Sequence, residues 1–177
     1  MGSTTGFGDL RYAIRHVVVI GALGGLVAGI GMGVVLHAGG NMMLLVGALY
    51  GWPSVVGGWT AHLLNSTVLG VLFAVLVSHR LFEDQTRTIA GCVALGTVYA
   101  AAIGLVTGGI MLPAAINVLG TQSLPTAILP LPGVLGGVVV VLSVGVAHVV
   151  YGVLLGVTYG LVHNDVPLRD LTPTAEY

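Results

Sequence analysis

The chain has 177 residues, of which 56% are hydrophobic and only 6% are charged, and its formal net charge is −1. A typical soluble domain has about a quarter charged residues. This chain could not cover a soluble surface with polar groups, so it is predicted to be an integral membrane protein. It has no basic patch for nucleic acid, and its single cysteine, Cys92, excludes a disulfide framework and a thiolate metal site.

Four apolar stretches are long enough to cross a bilayer as helices, which takes about 20 residues. In chain order they are 16–37, 54–78, 88–112 and 134–162. The predicted fold is therefore an all-α integral membrane protein with four transmembrane helices, forming a single membrane domain over residues 1–177.

The arginines predict the topology of the four helices. They lie before the first stretch, between the second and third, and after the fourth: Arg11, Arg15, Arg80, Arg87 and Arg169. By the positive-inside rule, both termini are expected in the cytoplasm of a multi-pass cell-membrane protein. The uncharged loops 38–53 and 113–133 are then external, as interfacial caps or shallow re-entrant loops. Tyr50, Trp52 and Trp59 are expected to form an aromatic belt there.

The second and fourth stretches resemble each other. Residues 61–76 and 147–162 align without gaps and share an Ala-His pair and a Leu-Gly-Val run seven to nine residues after the histidine. The chain is therefore predicted to consist of two parallel helical-hairpin repeats, about 16–78 and 88–162, related by an axis along the membrane normal.

Small residues recur every fourth position in the first and third stretches. They are Gly21, Gly25, Gly29 and Gly33, and Gly96, Ala100, Gly104 and Gly108. This spacing forms a ridge on a helix that allows another backbone to approach closely. The ridges are expected at the bundle centre or at a subunit interface. The alternative is a glycine-lined groove for a flat cofactor, a quinone, a carotenoid or a permeant molecule.

Two histidines, His62 and His148, are predicted at equal depth within the membrane, in the outer half of their helices. An ionisable residue at that depth is costly, which makes it a candidate for function. Each continues a ridge of small residues on its own helix, and both are expected to face the bundle interior. These ridge residues are Ser66 and Gly70 after His62, and Gly152 and Gly156 after His148.

Three interpretations of the histidine pair remain open. Each imidazole could hydrogen-bond a neighbouring helix. The pair could ligate the iron of a b-type haem, with Ser66, Gly70, Gly152 and Gly156 lining the cofactor site. The pair could also serve as a proton or ion relay. The predicted external side offers no Lys or Arg for haem propionates, and no Asp or Glu lies within the predicted spans to share a proton.

The run LVGALYGWPSVVGGWTAHLLNS, residues 45–66, follows a glycine-rich first helix. In this it resembles small, uncharacterised, glycine-rich four-span membrane proteins of halophilic archaea. The resemblance implies an archaeal source, and it implies no activity and no residue roles.

The sequence contains no nucleophile–base pair, carboxylate dyad or phosphate loop. We therefore expect an accessory or anchoring subunit of a larger respiratory or electron-transfer assembly, without catalytic activity of its own and with the bis-His haem as its candidate cofactor. Its partners would be the lipid bilayer and another membrane protein or a second copy, and no nucleic acid. The alternative is a small channel or transporter with a paired-histidine site along a glycine-lined path.

Overall fold

The computed structural model describes residues 6–120, 131 and 133–165. Within these residues the chain forms helices joined by short turns, without a β-strand. The α-helices are α1 (Gly6–Gly40), α2 (Met43–Ala48), α3 (Val55–Val77), α4 (Glu83–Thr86), α5 (Ile89–Val106), α6 (Leu112–Val118) and α7 (Val134–Asp165). A 3₁₀ turn (Arg80–Phe82) precedes α4, and a π-helical segment (Thr107–Met111) joins α5 to α6.

Four helical segments are long and apolar enough to cross a membrane, as the sequence predicts. They are Ile14–Gly40, Val55–Val77, Ile89–Val118 and Val134–His163. This composition and length indicate a multi-pass membrane protein.

Local sequence fixes where the helices begin and end. The hydroxyl of Ser54 accepts a hydrogen bond from the Gly57 amide at 2.9 Å and caps α3. Thr88 caps α5 in the same way, through the Gly91 amide at 3.0 Å. Such caps satisfy one of the free amides at a helix start. At the end of α1, Asn41 adopts a left-handed conformation with φ of 49°, which stops the helix.

The four long helices pack as two antiparallel hairpins, α1 with α3 and α5 with α7, and α1 also packs along α7. By contrast, α3 and α5 touch at few positions. Gly24 of α1 lies beside Leu155 of α7, whereas Gly39 lies beside Ser143. Helices α1 and α7 are therefore antiparallel too, so α1 and α5 run in the same direction.

Glycines allow the backbones within each hairpin to meet. A methyl group at Gly70 would overlap the backbone of Gly21 and Gly25, and one at Gly152 would overlap the backbone of Gly96. The predicted role of the ridges in close helix packing is confirmed for these positions. Gly108, the last member of the second ridge, has no described atom within 4 Å of where a Cβ would stand.

The third span is longer than predicted, because the helix continues past residue 112 to Val118 through the π-helical segment. This widened turn lies directly before Pro113. In a regular α-helix the proline ring would clash with the carbonyl four residues earlier, that of Gly109. A π-turn changes this spacing, which gives a physical reason for its position.

The loop predicted as an interfacial cap contains α2, which folds back against the start of α3. Met43 and Leu45 of α2 are buried, and a side chain at Gly58 would overlap the backbone of Met43. Trp59 departs from the expected aromatic belt. It is partly buried and packs between His37 and His62, with ring centroids 6.1 and 6.2 Å away.

Candidate functional site: a cavity between the two hairpins

A cavity of about 360 Å³ lies between α3 and α5, where these helices make little contact. Helices α1, α2, α6 and α7 complete its walls. The lining is mostly apolar and includes Met32, Met42 and Met111. Its polar side chains are Tyr50, His62, Asn65, Ser66, Thr107, His148 and Tyr151.

His62 lies on the α3 wall and is only 6% exposed. Its Nε2 is 2.9 Å from the carbonyl oxygen of Gly29. A carbonyl only accepts hydrogen bonds, so Nε2 carries the proton and donates. The neighbouring Cδ2 faces Gly33, where a Cβ would stand 3.1 Å away. The Cδ2–Nε2 edge therefore packs on α1, and Nδ1 lies on the opposite side of the ring.

His148 lies on the α7 wall and is 5% exposed. Its Nδ1 donates to the carbonyl of Val144 at 2.8 Å. In the neutral ring Nε2 is then an acceptor. The hydroxyl oxygen of Thr107 lies 2.9 Å from this Nε2 and 3.0 Å from the carbonyl oxygen of Ile103, and its single proton can go to only one of them. A Cβ at Gly104 would stand 3.2 Å from Cδ2 of His148, so this ring also packs on a glycine of its hairpin partner.

Two tyrosines lie at the end of the cavity that is nearer to the arginine-containing loops. Tyr151 of α7 donates to the carbonyl of Ser66 at 2.8 Å, and Tyr99 of α5 donates to the carbonyl of Leu69 at 2.9 Å. Phe73 packs on Tyr99, with ring centroids 5.4 Å apart. Both hydrogen bonds join the second hairpin to the backbone of α3, so the two tyrosines also hold the two hairpins together.

At the opposite end, α2 and α6 cover the cavity. Leu45 and Leu49 from the α2 region and Leu112 and Ala115 from α6 line it there, and α2 contacts α6. Residues of α2 and α6 thus line one end of the cavity, and Tyr151 lines the other.

The side of the cavity lies between the exposed faces of α3 and α5. Val68 on α3 is 59% exposed and Val106 on α5 is 50% exposed, and both line the cavity. Tyr50 lies at the same side and donates to Asn65 Oδ1 at 2.8 Å. This side lies within the segments that are long and apolar enough to cross a membrane.

The structure brings together only some of the predicted site residues. His62, Ser66 and His148 line the cavity and face the bundle interior. Gly70, Gly152 and Gly156 lie outside it and pack instead against the backbone of the neighbouring helix in the same hairpin. The ridges themselves are therefore filled by protein, and the open space lies beside them.

Sequence reasoning did not single out Thr107, Tyr99 or Tyr151 as partners of the site. Tyr151 follows His148 by three residues, and Thr107 follows Gly104 by three, so each lies near the ridge face of its helix. This spacing is the sequence feature that could have indicated Thr107 and Tyr151. It does not show that Tyr99 and Tyr151 would reach carbonyls of α3, because those contacts join distant parts of the chain.

The histidine pair presents two imidazole lone pairs, one on Nδ1 of His62 and one on Nε2 of His148. A metal-binding imidazole uses one such nitrogen while the other carries a proton held by a protein acceptor, and both rings have this arrangement. Within the described part of the chain, no group of three or more His, Cys, Asp or Glu residues could hold a metal ion. The bis-His haem stays a prediction.

Functional inference depends on this local chemistry, since fold alone does not assign function. Comparison with protein-family models, with curated proteins and with solved structures finds no match for the chain.

Proposed function

We propose that this protein is a multi-pass protein of the cell membrane with both termini in the cytoplasm, and that it binds a small molecule as an accessory or anchoring subunit of a larger membrane assembly. The observation that carries the proposal is the cavity of about 360 Å³ with His62 and His148 on its walls. Its volume is within the range of about 300–1,000 Å³ found for ligand sites.

The polar groups of the cavity support binding rather than packing alone. Helix packing would be served by a filled interface, as within each hairpin, where glycines bring backbones into contact. Here two buried imidazoles, Thr107 and Ser66 border open space instead. A few convergent polar groups in a mainly apolar pocket are typical of a small-molecule site.

The proposal includes an origin by duplication of one hairpin. Gly33 lies against Cδ2 of His62, and Gly104 lies against Cδ2 of His148. These contacts support pairing Gly33 with Gly104, one helical turn earlier than the sequence ridge that ends at Gly108. The duplicated hairpins would then differ mainly in the outer connection, with α2 in the first and α6 in the second.

Two kinds of ligand fit the histidine pair. A b-type haem would be held by His62 and His148 and would give the subunit an electron-transfer role. An organic molecule would use the same lone pairs as hydrogen-bond acceptors. In either case the substrate chemistry belongs to a partner membrane protein or to another copy of this chain.

The test is to purify the protein in a mild detergent, record its absorption spectrum, and identify co-purifying small molecules by mass spectrometry. Haem would give a low-spin b-type spectrum that is lost in both His62→Ala and His148→Ala, because both axial positions are needed. A colourless organic ligand would appear only in the mass spectrum.

A matched pair of variants locates the bound molecule. Val106→Phe narrows the cavity between α3 and α5, whereas Val98→Phe adds the same ring to a position of α5 that is 69% exposed. We expect the first variant to lose the molecule and the second to keep it. Equal retention in both variants, or an empty cavity that takes up no added ligand, would contradict the proposal.

The alternative function is a small channel or transporter with a paired-histidine site. One observation favours it, the short row of polar groups formed by Thr107 and His148 inside the membrane-spanning region. Proton flux into liposomes containing the protein, measured with a pH-sensitive dye, distinguishes the two. Flux that requires His148 would favour transport over ligand binding.

A further inference from the structure

The two imidazoles determine which hydrogen-bonding group a ligand must bring. Nε2 of His62 is a donor to Gly29, so the exposed side of the ring offers the lone pair of Nδ1. No described residue hydrogen-bonds to that nitrogen. It is therefore an acceptor that a ligand can satisfy.

The second histidine leads to the same result. Nδ1 of His148 donates to Val144, and Nε2, an acceptor in the neutral ring, lies 2.9 Å from the Thr107 hydroxyl oxygen. The Thr107 hydroxyl has one proton, which it gives within the protein, either to the carbonyl of Ile103 at 3.0 Å or to Nε2 of His148, so none is left for a ligand. Both histidines thus present acceptors in the neutral state of the rings, while Ser66 and Asn65 of the lining add donor groups from which the oxygen of a ligand hydroxyl can accept.

The charges of the lining side chains narrow the class of possible ligands further. Among the residues that the structure describes, the lining contains no Asp, Glu, Lys or Arg. An ion brought into such a site would lose its hydration without a counter-charge, which is strongly unfavourable. Of the two kinds of ligand considered above, the site therefore favours the organic molecule, in a neutral form.

The route by which a ligand enters the cavity indicates the polarity of the rest of the molecule. The cavity lies beside Val68 and Val106 on the lipid-facing side and is covered at both ends by Tyr99, Tyr151, α2 and α6. A molecule that arrives there is dissolved in the bilayer. The three methionines of the lining, being flexible, suit an apolar body of irregular shape.

We propose that the cavity binds a neutral, bilayer-dissolved alcohol or phenol, whose hydroxyl donates to Nδ1 of His62 and whose apolar body lies among the methionines between α3 and α5. This inference rests on the proposed ligand-binding function and specifies its ligand. A ketone, quinone or ether of the same shape could accept from Ser66 or Asn65, but it has no proton to donate to Nδ1 of His62.

The test uses two fluorescent probes of similar size, 2-naphthol and its methyl ether, 2-methoxynaphthalene. Binding is measured by equilibrium dialysis at neutral pH, with the protein in lipid nanodiscs and with empty nanodiscs of the same lipid to subtract partition into the bilayer. We expect 2-naphthol to bind at least about tenfold more tightly than its ether, which corresponds to about 1.4 kcal/mol.

The ligand-binding function and the inference of a hydroxyl donor are contradicted by different results. If neither probe binds above the empty nanodiscs, the ligand-binding function is contradicted as well. If both probes bind equally, or the ether binds better, the cavity binds ligands but the inference of a hydroxyl donor is wrong.

A variant identifies the acceptor. His62→Phe keeps the ring volume but removes Nδ1, and it should lower the affinity for 2-naphthol to that of the ether while leaving the ether unchanged. Because this change also removes the bond to Gly29, folding is checked by thermal unfolding. If the variant does not fold, the ¹⁵N imidazole spectrum of the unaltered protein replaces it. There, 2-naphthol but not the ether should shift an unprotonated histidine nitrogen, and no shift would refute the assignment to His62.

Discussion

Gly21 lies where α1 crosses α3, and its replacement by alanine tests the glycine packing of the first hairpin. A Cβ at this position would stand 2.7 Å from the carbonyl oxygen of Gly70, 2.7 Å from Cα of Val71 and 2.8 Å from Cβ of Ala74. Ordinary carbon contacts are about 3.5–4.0 Å. Two of the three atoms belong to the backbone, so a rotamer change cannot relieve the overlap and the helices must separate by about 1 Å.

The expected cost follows from two opposing effects. Overpacking of this kind costs about 1–3 kcal/mol, whereas alanine is better than glycine within a helix by about 1 kcal/mol. We expect Gly21→Ala to lower the free energy of unfolding by about 1–2 kcal/mol, since the overlap involves backbone and falls at the upper part of the overpacking range.

The control is Gly145→Ala in α7, where no described atom lies within 4 Å of the added methyl group. This change should be neutral or stabilising by up to about 1 kcal/mol. Both variants are measured by denaturant titration in the same detergent, with helix content as the signal. Equal stability of the two variants would show that α1 does not pack on α3 through this ridge.

Two further predictions concern topology and the contact between the hairpins. Cysteines introduced at Asn41 and at Gln85 should react with a membrane-impermeant reagent from outside and from inside the cell respectively, and labelling of Gln85 from outside would refute the cytoplasmic placement of the termini. Tyr151→Phe removes the hydrogen bond to α3 and should cost about 0.6–1.7 kcal/mol, the range for hydrogen bonds between membrane helices. Tyr12→Phe, at an exposed position, should leave the unfolding transition unchanged. Equal losses of stability in both variants would argue against the hydrogen bond between Tyr151 and α3.

The number and approximate bounds of the spanning helices could be predicted because hydropathy and length determine them locally. The small residues at every fourth position also indicated which helix faces pack together. The sequence did not distinguish α2 and α6 from loops, since their apolar, glycine- and proline-containing segments lack charges and are too short to span. Only the contacts in space show that they cover the cavity.

The register of the second ridge could not be predicted from spacing alone. Gly104 and Gly108 continue the same four-residue pattern, but only Gly104 has His148 beside it. The cavity was also beyond sequence reasoning, although both of its histidines were predicted. The cavity forms because α1 packs closely along α7, whereas α3 and α5 do not pack closely on each other. These contacts join helices that are distant in the sequence.

The central position of α1 has a consequence for how the protein is made. Of the described helices, α1 is synthesised before α7, and the two are in contact, because Gly24 and Gly31 of α1 lie against Leu155 and Leu154 of α7. Until α7 has been synthesised, this glycine face has no partner within the chain and must be covered by lipid or by the insertion machinery. The packing of α1 on α7 is therefore a late step in tertiary assembly, and a chain stalled before residue 134 would lack it because α7 begins at Val134.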